Sequence, residues 1–130
     1  MANSRDWHEW VRFAEGDYRA AMKLSDEFAE QTSYLCQQSG EKYLKAVILF
    51  SGAIPVQTHD CLELLAFVDL TLAVNDRVVL AARLLNAVMT PSRYPDSWGA
   101  PTLDQARRVL DAAGVIRVFA REKLGLGDES

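Results

Sequence analysis

Cysteine is scarce, with 2 among 130 residues. Cys36 and Cys61 form no CxxC pair and no Cys/His cluster, which argues against structural zinc. Both fall among apolar neighbours, where a free thiol behaves as a small hydrophobe. Long apolar runs are also missing: no stretch approaches a membrane span, and Met1 to Trp7 carry no apolar signal core. The expectation is a cytoplasmic chain with no membrane association. A basic excess is absent too, since the formal net charge is −4. Non-specific nucleic-acid binding draws most of its affinity from phosphate neutralisation, so RNA is not the default partner. Nor is there a P-loop, a GxGxxG, an HExxH or a GxSxG. No metal site and no cofactor is expected.

What is present reads as one helical domain. The chain is long enough to bury a core without staples, and its 49% hydrophobic and 25% charged residues are ordinary for a globular protein. From about Ser4 to Phe28, apolar residues recur at spacings of three and four, and Glu30-Gln31-Thr32 breaks the pattern. A second helix runs to about Phe50 and stops at Ser51-Gly52, with Pro55 in the following loop. Thr58 or Asp60 caps a third helix through Leu65 and Val68, and Asn75-Asp76 starts a fourth carrying Val79, Leu80, Leu84 and Val88. Residues 90 to 101 hold three prolines and a glycine and predict a loop. Thr102 and Gln105 form a capping box for a last helix ending near Leu124. The predicted fold is all-α: an up-and-down bundle of four main helices plus one shorter helix, in a single domain over residues 1–130.

The second helix carries the most informative pattern. At about 100° per residue, Gln37, Gln38, Glu41, Lys42 and Lys45 share an arc roughly 140° wide. Leu35, Ser39, Tyr43, Ala46, Val47 and Phe50 lie opposite. Such a helix packs with one side and offers amides, an acid and two bases with the other. The plain alternative is that this stripe is only the solvated face of a bundle helix.

Three further places hold polar groups in unusual settings. Asp17 sits at the edge of the apolar arc of the first helix, and an unpaired buried charge costs several kcal/mol. Lys42, Lys45, His59 and Arg117 are its candidate partners, either as a register-fixing ion pair or as the wall of a polar pocket. His59 and Asp60 stand at a helix start that favours anions, or simply cap it. Arg93 offers a bidentate fork, while Tyr94 and Trp98 offer stacking faces or a cover for the open end of the bundle.

The order of these features resembles the HEPN domain family of small all-helical domains. Ala14, Asp17 and Ala21 are similar to its A-x-x-D-x-x-x-A pattern, and Gln37-Gln38-Ser39-Gly40-Glu41-Lys42-Tyr43-Leu44-Lys45-Ala46 to its Q-Q-x-x-E-K-x-L-K-A helix. Thr58-His59-Asp60-Cys61-Leu62 resembles its T-H-D-L helix start, and Arg93-Tyr94-Pro95 stands before the last helix. The resemblance implies a dimeric binding module that accompanies a separate minimal nucleotidyltransferase, often as a toxin–antitoxin-like pair, with nucleotide as a further ligand. On that expectation Lys42, Lys45 and Arg93 meet phosphate, Gln38 the base or ribose, and Tyr94 a stacked ring. Trp7, Trp10 and Tyr18 read as core or interface residues, and the resemblance implies that at least one tryptophan packs across a two-fold interface.

Many members of the family are metal-independent ribonucleases using an arginine followed four to six residues later by histidine. Neither His8 nor His59 has an arginine at that spacing; Arg5 is too close to His8, and residues 52 to 57 contain no base. The chain is therefore expected to be a binder with no catalytic residues rather than an enzyme. The alternative is an RNA-cleaving toxin with an atypical site of His59, Asp60, Arg93 and Lys42.

Overall fold

A computed structural model describes residues 5–69, 75–88 and 101–127. They form five helices: α1 (Trp7–Leu24), α2 (Ala29–Phe50), α3 (Cys61–Asp69), α4 (Asp76–Val88) and α5 (Leu103–Lys123), with no strand among the described residues. The all-α bundle read from the sequence is the fold observed. Arg93, Tyr94 and Trp98 lie outside the described residues.

Each helix start has a local chemical cause. The Asp6 carboxylate accepts from the His8 N–H at 3.0 Å and caps α1. Asp60 caps α3, taking the N–H groups of Leu62 and Glu63 at 2.9 and 3.1 Å, while the Thr58 hydroxyl accepts from the Asp60 N–H at 3.1 Å. The Asn75 side chain accepts from Val78 N–H at the head of α4. Thr102 and Gln105 close the capping box of α5. At the end of α2 the chain leaves through Gly52, whose φ of 95° is open to glycine at little cost.

One boundary differs from the sequence-based expectation. The break between the first two helices falls at Ser25 to Phe28, and Glu30-Gln31-Thr32 already belongs to α2. Thr32 and Ser33 are buried, and neither hydroxyl has a hydrogen-bond partner among the described residues. Glu30 and Gln31 are exposed and Thr32 is polar though buried, so the run has no apolar stripe and reads as a loop in a hydropathy pattern.

α2 is the axis of the molecule, packing against α1, α3, α4 and α5; α5 also packs on α1 and α4. Cys36, Tyr43, Leu44, Val47 and Ile48 point from α2 into one core with Leu64, Leu65, Val68, Leu85, Val109 and Ile116. Burying each large aliphatic of this set contributes about 1.5–3 kcal/mol. Burial pushes both cysteine thiols up to about 12, so they are unreactive packing groups. On α4 the inward residues are Val78, Ala81, Ala82 and Leu85, while Leu80 and Leu84 face out. Both sides of α4 are apolar, so periodicity alone did not choose between them. The inner side meets α2 at Gly40, where the Leu85 side chain fills the space a Cβ would need.

Candidate functional site

The polar stripe of α2 is neither a solvated face nor a uniform one. Gln37 is 0% exposed and Glu41 4%, whereas Gln38, Lys42 and Lys45 are half-buried. Residues 37, 41 and 45 form one i, i+4 row, which lies beneath the loop leading into α3. The Gln37 side-chain amide donates to the His59 carbonyl at 3.0 Å and to Glu41 Oε1 at 3.3 Å. Gln38 in turn donates to Gln37 Oε1 at 2.7 Å, which fixes the orientation of that amide.

Glu41 is the hub. Its Oε1 meets His59 Nδ1 at 2.8 Å, and its Oε2 accepts from Lys45 Nζ at 2.8 Å. Burial pushes the Glu41 carboxyl up, but the hydrogen bonds from Lys45 and His59 outweigh it and hold the group below its ordinary range. An ionised carboxylate only accepts, so Nδ1 of His59 carries the proton and Nε2 is the outward nitrogen. The His59 side chain is 70% exposed although one ring edge is anchored.

The neighbouring row reaches α1. Lys42 Nζ donates to Asp17 Oδ2 at 2.6 Å, so of the four partners considered for Asp17 it is Lys42 that pairs with it. Lys45 Nζ also lies 5.4 Å from the Trp10 ring centroid, a cation–π contact that covers that aromatic face. Trp10 is buried within the chain's own core. Trp10, Glu41, Lys42, Lys45, Gln57, Thr58 and His59 line a cleft of about 370 Å³.

Of the sequence-derived candidates, Asp17, Gln38, Lys42, Lys45 and His59 thus meet at or beside one cleft. Asp60 does not line it. Its carboxylate is taken by the helix cap and by Asn86 Nδ2 at 2.7 Å, and the Asn86 bond is the main cause holding it below the usual range. Asn86 Oδ1 in turn accepts from the Cys61 N–H at 2.7 Å, tying α4 to the start of α3.

A second polar centre was not foreseen from the sequence. Glu15 of α1 is buried and receives both Nε and Nη2 of Arg117, at 2.7 and 3.1 Å, along with Arg19 Nε at 2.9 Å. The Tyr43 hydroxyl donates to the same carboxylate, and Arg121 Nη1 donates to the Tyr43 hydroxyl at 3.3 Å. Burial pushes the Glu15 carboxyl up, yet Arg117 and Tyr43 overcome it and hold it down at about 2. Burial also pushes the Tyr43 phenol up to about 12, with help from Glu15. The signal was legible in outline: Arg117 and Arg121 are an i, i+4 pair on the inner side of the last helix, as Glu15 and Arg19 are on the first. Arg117, one of the four partners considered for Asp17, serves Glu15 instead.

A five-helix bundle whose central helix carries a Gln–Glu–Lys row against a Thr-His-Asp helix start defines a class of small helical domains. The chain belongs to the HEPN domain family, matching it over residues 7–123. Among solved structures it is similar to TT1696 from Thermus thermophilus, at 29% identity and a TM-score of 0.79, covering 92% of this chain and 99% of that one. It is also similar to ST0689, an archaeal HEPN homologue, at 26% identity and a TM-score of 0.74, covering 91% and 97%. No curated protein matches the chain. No described helix is long and apolar enough to cross a membrane. The described residues contain no group of three or more His, Cys, Asp or Glu side chains suited to a metal ion.

Proposed function

We propose that this HEPN protein is a dimeric cytoplasmic binding module that engages a separate minimal nucleotidyltransferase, in a toxin–antitoxin-like pair, and takes a nucleotide in the Trp10–His59 cleft. One observation carries the nucleotide part. Two ammonium groups and an imidazole from separate segments converge on a cavity of about 370 Å³, within the size range of small-molecule sites. Each ammonium has three donors and spends one on a carboxylate, which leaves donors for phosphate oxygens. Since Lys45 covers the Trp10 face, a base stacks elsewhere, and Tyr94 is the aromatic to test. Native mass spectrometry with and without ATP tests both halves. A dimer that gains a nucleotide's mass, and loses it in the Lys42→Met/Lys45→Met variant, is the expected outcome. A strict monomer overturns the dimer, and a dimer with no adduct overturns the nucleotide.

The contact between Glu41 and His59 favours one second reading. A buried carboxylate holding Nδ1 of an exposed imidazole is the mounting used by general bases, so an atypical RNA-cleaving toxin is the alternative. Asp60, taken by its cap, has no part in it. Growth arrest on expression that His59→Ala relieves would support cleavage; arrest unchanged by His59→Ala would end it.

A further inference from the structure

A chain of hydrogen bonds runs from inside the bundle to an exposed ring nitrogen. Gln38 donates to Gln37 Oε1 at 2.7 Å, Gln37 donates to Glu41 Oε1 at 3.3 Å, and the same oxygen meets His59 Nδ1 at 2.8 Å. Gln37 also holds the His59 carbonyl at 3.0 Å, so the residue is fixed at backbone and ring while its side chain stays 70% exposed. A latch between α2 and the start of α3 needs only the bond to the carbonyl. A surface imidazole needs no carboxylate, and Glu41 already has Lys45 as a counter-ion at 2.8 Å. The contact between Glu41 and His59 therefore serves the ring.

What it does to the ring follows from donors and acceptors. Ionised Glu41 only accepts, so the neutral ring carries its proton on Nδ1 and a lone pair on Nε2. A carboxylate behind one ring nitrogen fixes the tautomer and raises the basicity of the other. It also stabilises the imidazolium that forms when Nε2 makes a bond. Histidine held in this way is equipped as a nucleophile. Lys42 and Lys45 line the same cleft, and ammonium groups stabilise both the phosphates under attack and the leaving group.

We propose that His59 is a phosphoryl acceptor: its Nε2 takes the terminal phosphoryl group of a nucleoside triphosphate seated in the Trp10–His59 cleft. This rests on the nucleotide-binding function proposed above and adds a reaction to it. The Nε2 lone pair forms a bond to the γ-phosphorus while the bond from that phosphorus to the β,γ-bridging oxygen breaks. The electron pair of the broken bond stays on that oxygen, and nucleoside diphosphate departs. The phosphorylated ring keeps its Nδ1 proton, and its positive charge is paired with Glu41, so no further acid, base or oxidant is consumed. Glu41 is the positioning residue of this step.

The test is to incubate the intact chain with ATP and magnesium, strip bound ligand in mild alkali, and then weigh and fragment the protein. One phosphoryl group per chain is expected, on His59, lost in acid and kept in alkali as a phosphorus–nitrogen bond requires. An ester on the Thr58 hydroxyl would behave the other way round. His59→Gln should carry no label. In Glu41→Gln the amide can donate to Nδ1 and leave the proton on Nε2. Its labelling rate at saturating ATP should fall about 100-fold or more, beyond any change in the ATP concentration needed for half the maximal rate. A label on another residue, or one with the mass of a nucleotidyl group, overturns the step. ATP retained in native mass spectrometry without any label overturns the role of His59 and leaves the nucleotide site standing. No ATP retained overturns the nucleotide function itself, and this inference with it. Mapping the label on the parent chain decides the proposal even where a variant fails to fold.

Discussion

Glu15 shows how a single buried acid ties pH to stability. In the folded chain Arg117, Tyr43 and Arg19 hold its carboxyl at about 2, against an ordinary value of 4.5. The unfolded chain therefore binds a proton first as the solution is acidified. The stabilisation is present in full above the ordinary value and is lost as the pH falls from there toward 2. Glu41 is lowered as well and acts in the same direction. Glu15→Gln removes the charge that both Arg117 donors reach, and should lower stability at neutral pH by about 2–3 kcal/mol. It should also shallow the fall in urea midpoint between pH 6 and pH 3, leaving the share due to the other lowered carboxylates, Glu41 and Asp60 among them. A variant as acid-sensitive as the parent would mean that Glu15 is not paired as described. Hydropathy gave no warning of this residue: a glutamate among alanines and aromatics looks like an ordinary surface position until the arginines of α5 are folded against it.

At the scale of helices, two glycines inside helices predict opposite outcomes. A Cβ on Gly40 would sit 2.3 Å from Leu85 Cδ1, so α2 and α4 touch there with no room for a methyl group. Leu85 is fully buried and cannot swing into solvent. Overpacking of this kind costs about 1–3 kcal/mol, against roughly 1 kcal/mol gained in helix propensity. Gly40→Ala should thus destabilise by about 1 kcal/mol, and Leu85→Ala in the same chain should remove the clash, giving a favourable coupling in a double-mutant cycle. On α1, a Cβ at Gly16 meets nothing within 4 Å. Gly16→Ala should raise stability by up to about 1 kcal/mol. Urea unfolding of the four variants checks both signs; an equal effect at the two glycines would refute the close α2–α4 approach. These contacts mark what the sequence does and does not disclose. The caps at Asp60, Asn75 and Thr102 were legible because capping is a local pattern of side chains and nearby N–H groups. The cleft was half legible: Lys42, Lys45 and His59 could be named as candidates, but burial of Gln37 and Glu41 under the α3 loop is a tertiary fact. The inward side of α4 was illegible for a related reason: both of its sides are apolar, and only packing against α2, α3 and α5 makes Val78, Ala81, Ala82 and Leu85 the inner one.

For the whole molecule, the decisive feature is that α2 lies against every other helix. Among the described residues α1 packs only on α2 and α5, and α3 only on α2 and α4, so neither of these helices has a core of its own. The two polar centres reinforce this arrangement: Glu15 bridges α1 to α5 and, through Tyr43, to α2, while Glu41 binds α2 to the start of α3. Opening any one helix pair exposes both apolar surface and charged groups that have lost water, so partial unfolding is costly everywhere at once. The chain should therefore unfold in one cooperative step. Trp7 and Trp10 both sit on α1, and together with Trp98 they make fluorescence a probe weighted towards that helix, whereas far-UV circular dichroism samples all five. The two urea transitions should coincide, with a slope of roughly 1–3 kcal/mol per molar. Fluorescence that changes well before helicity would mean that α1 detaches on its own, and the Arg117–Glu15 and Lys42–Asp17 pairs would then be too weak to hold the bundle as one unit.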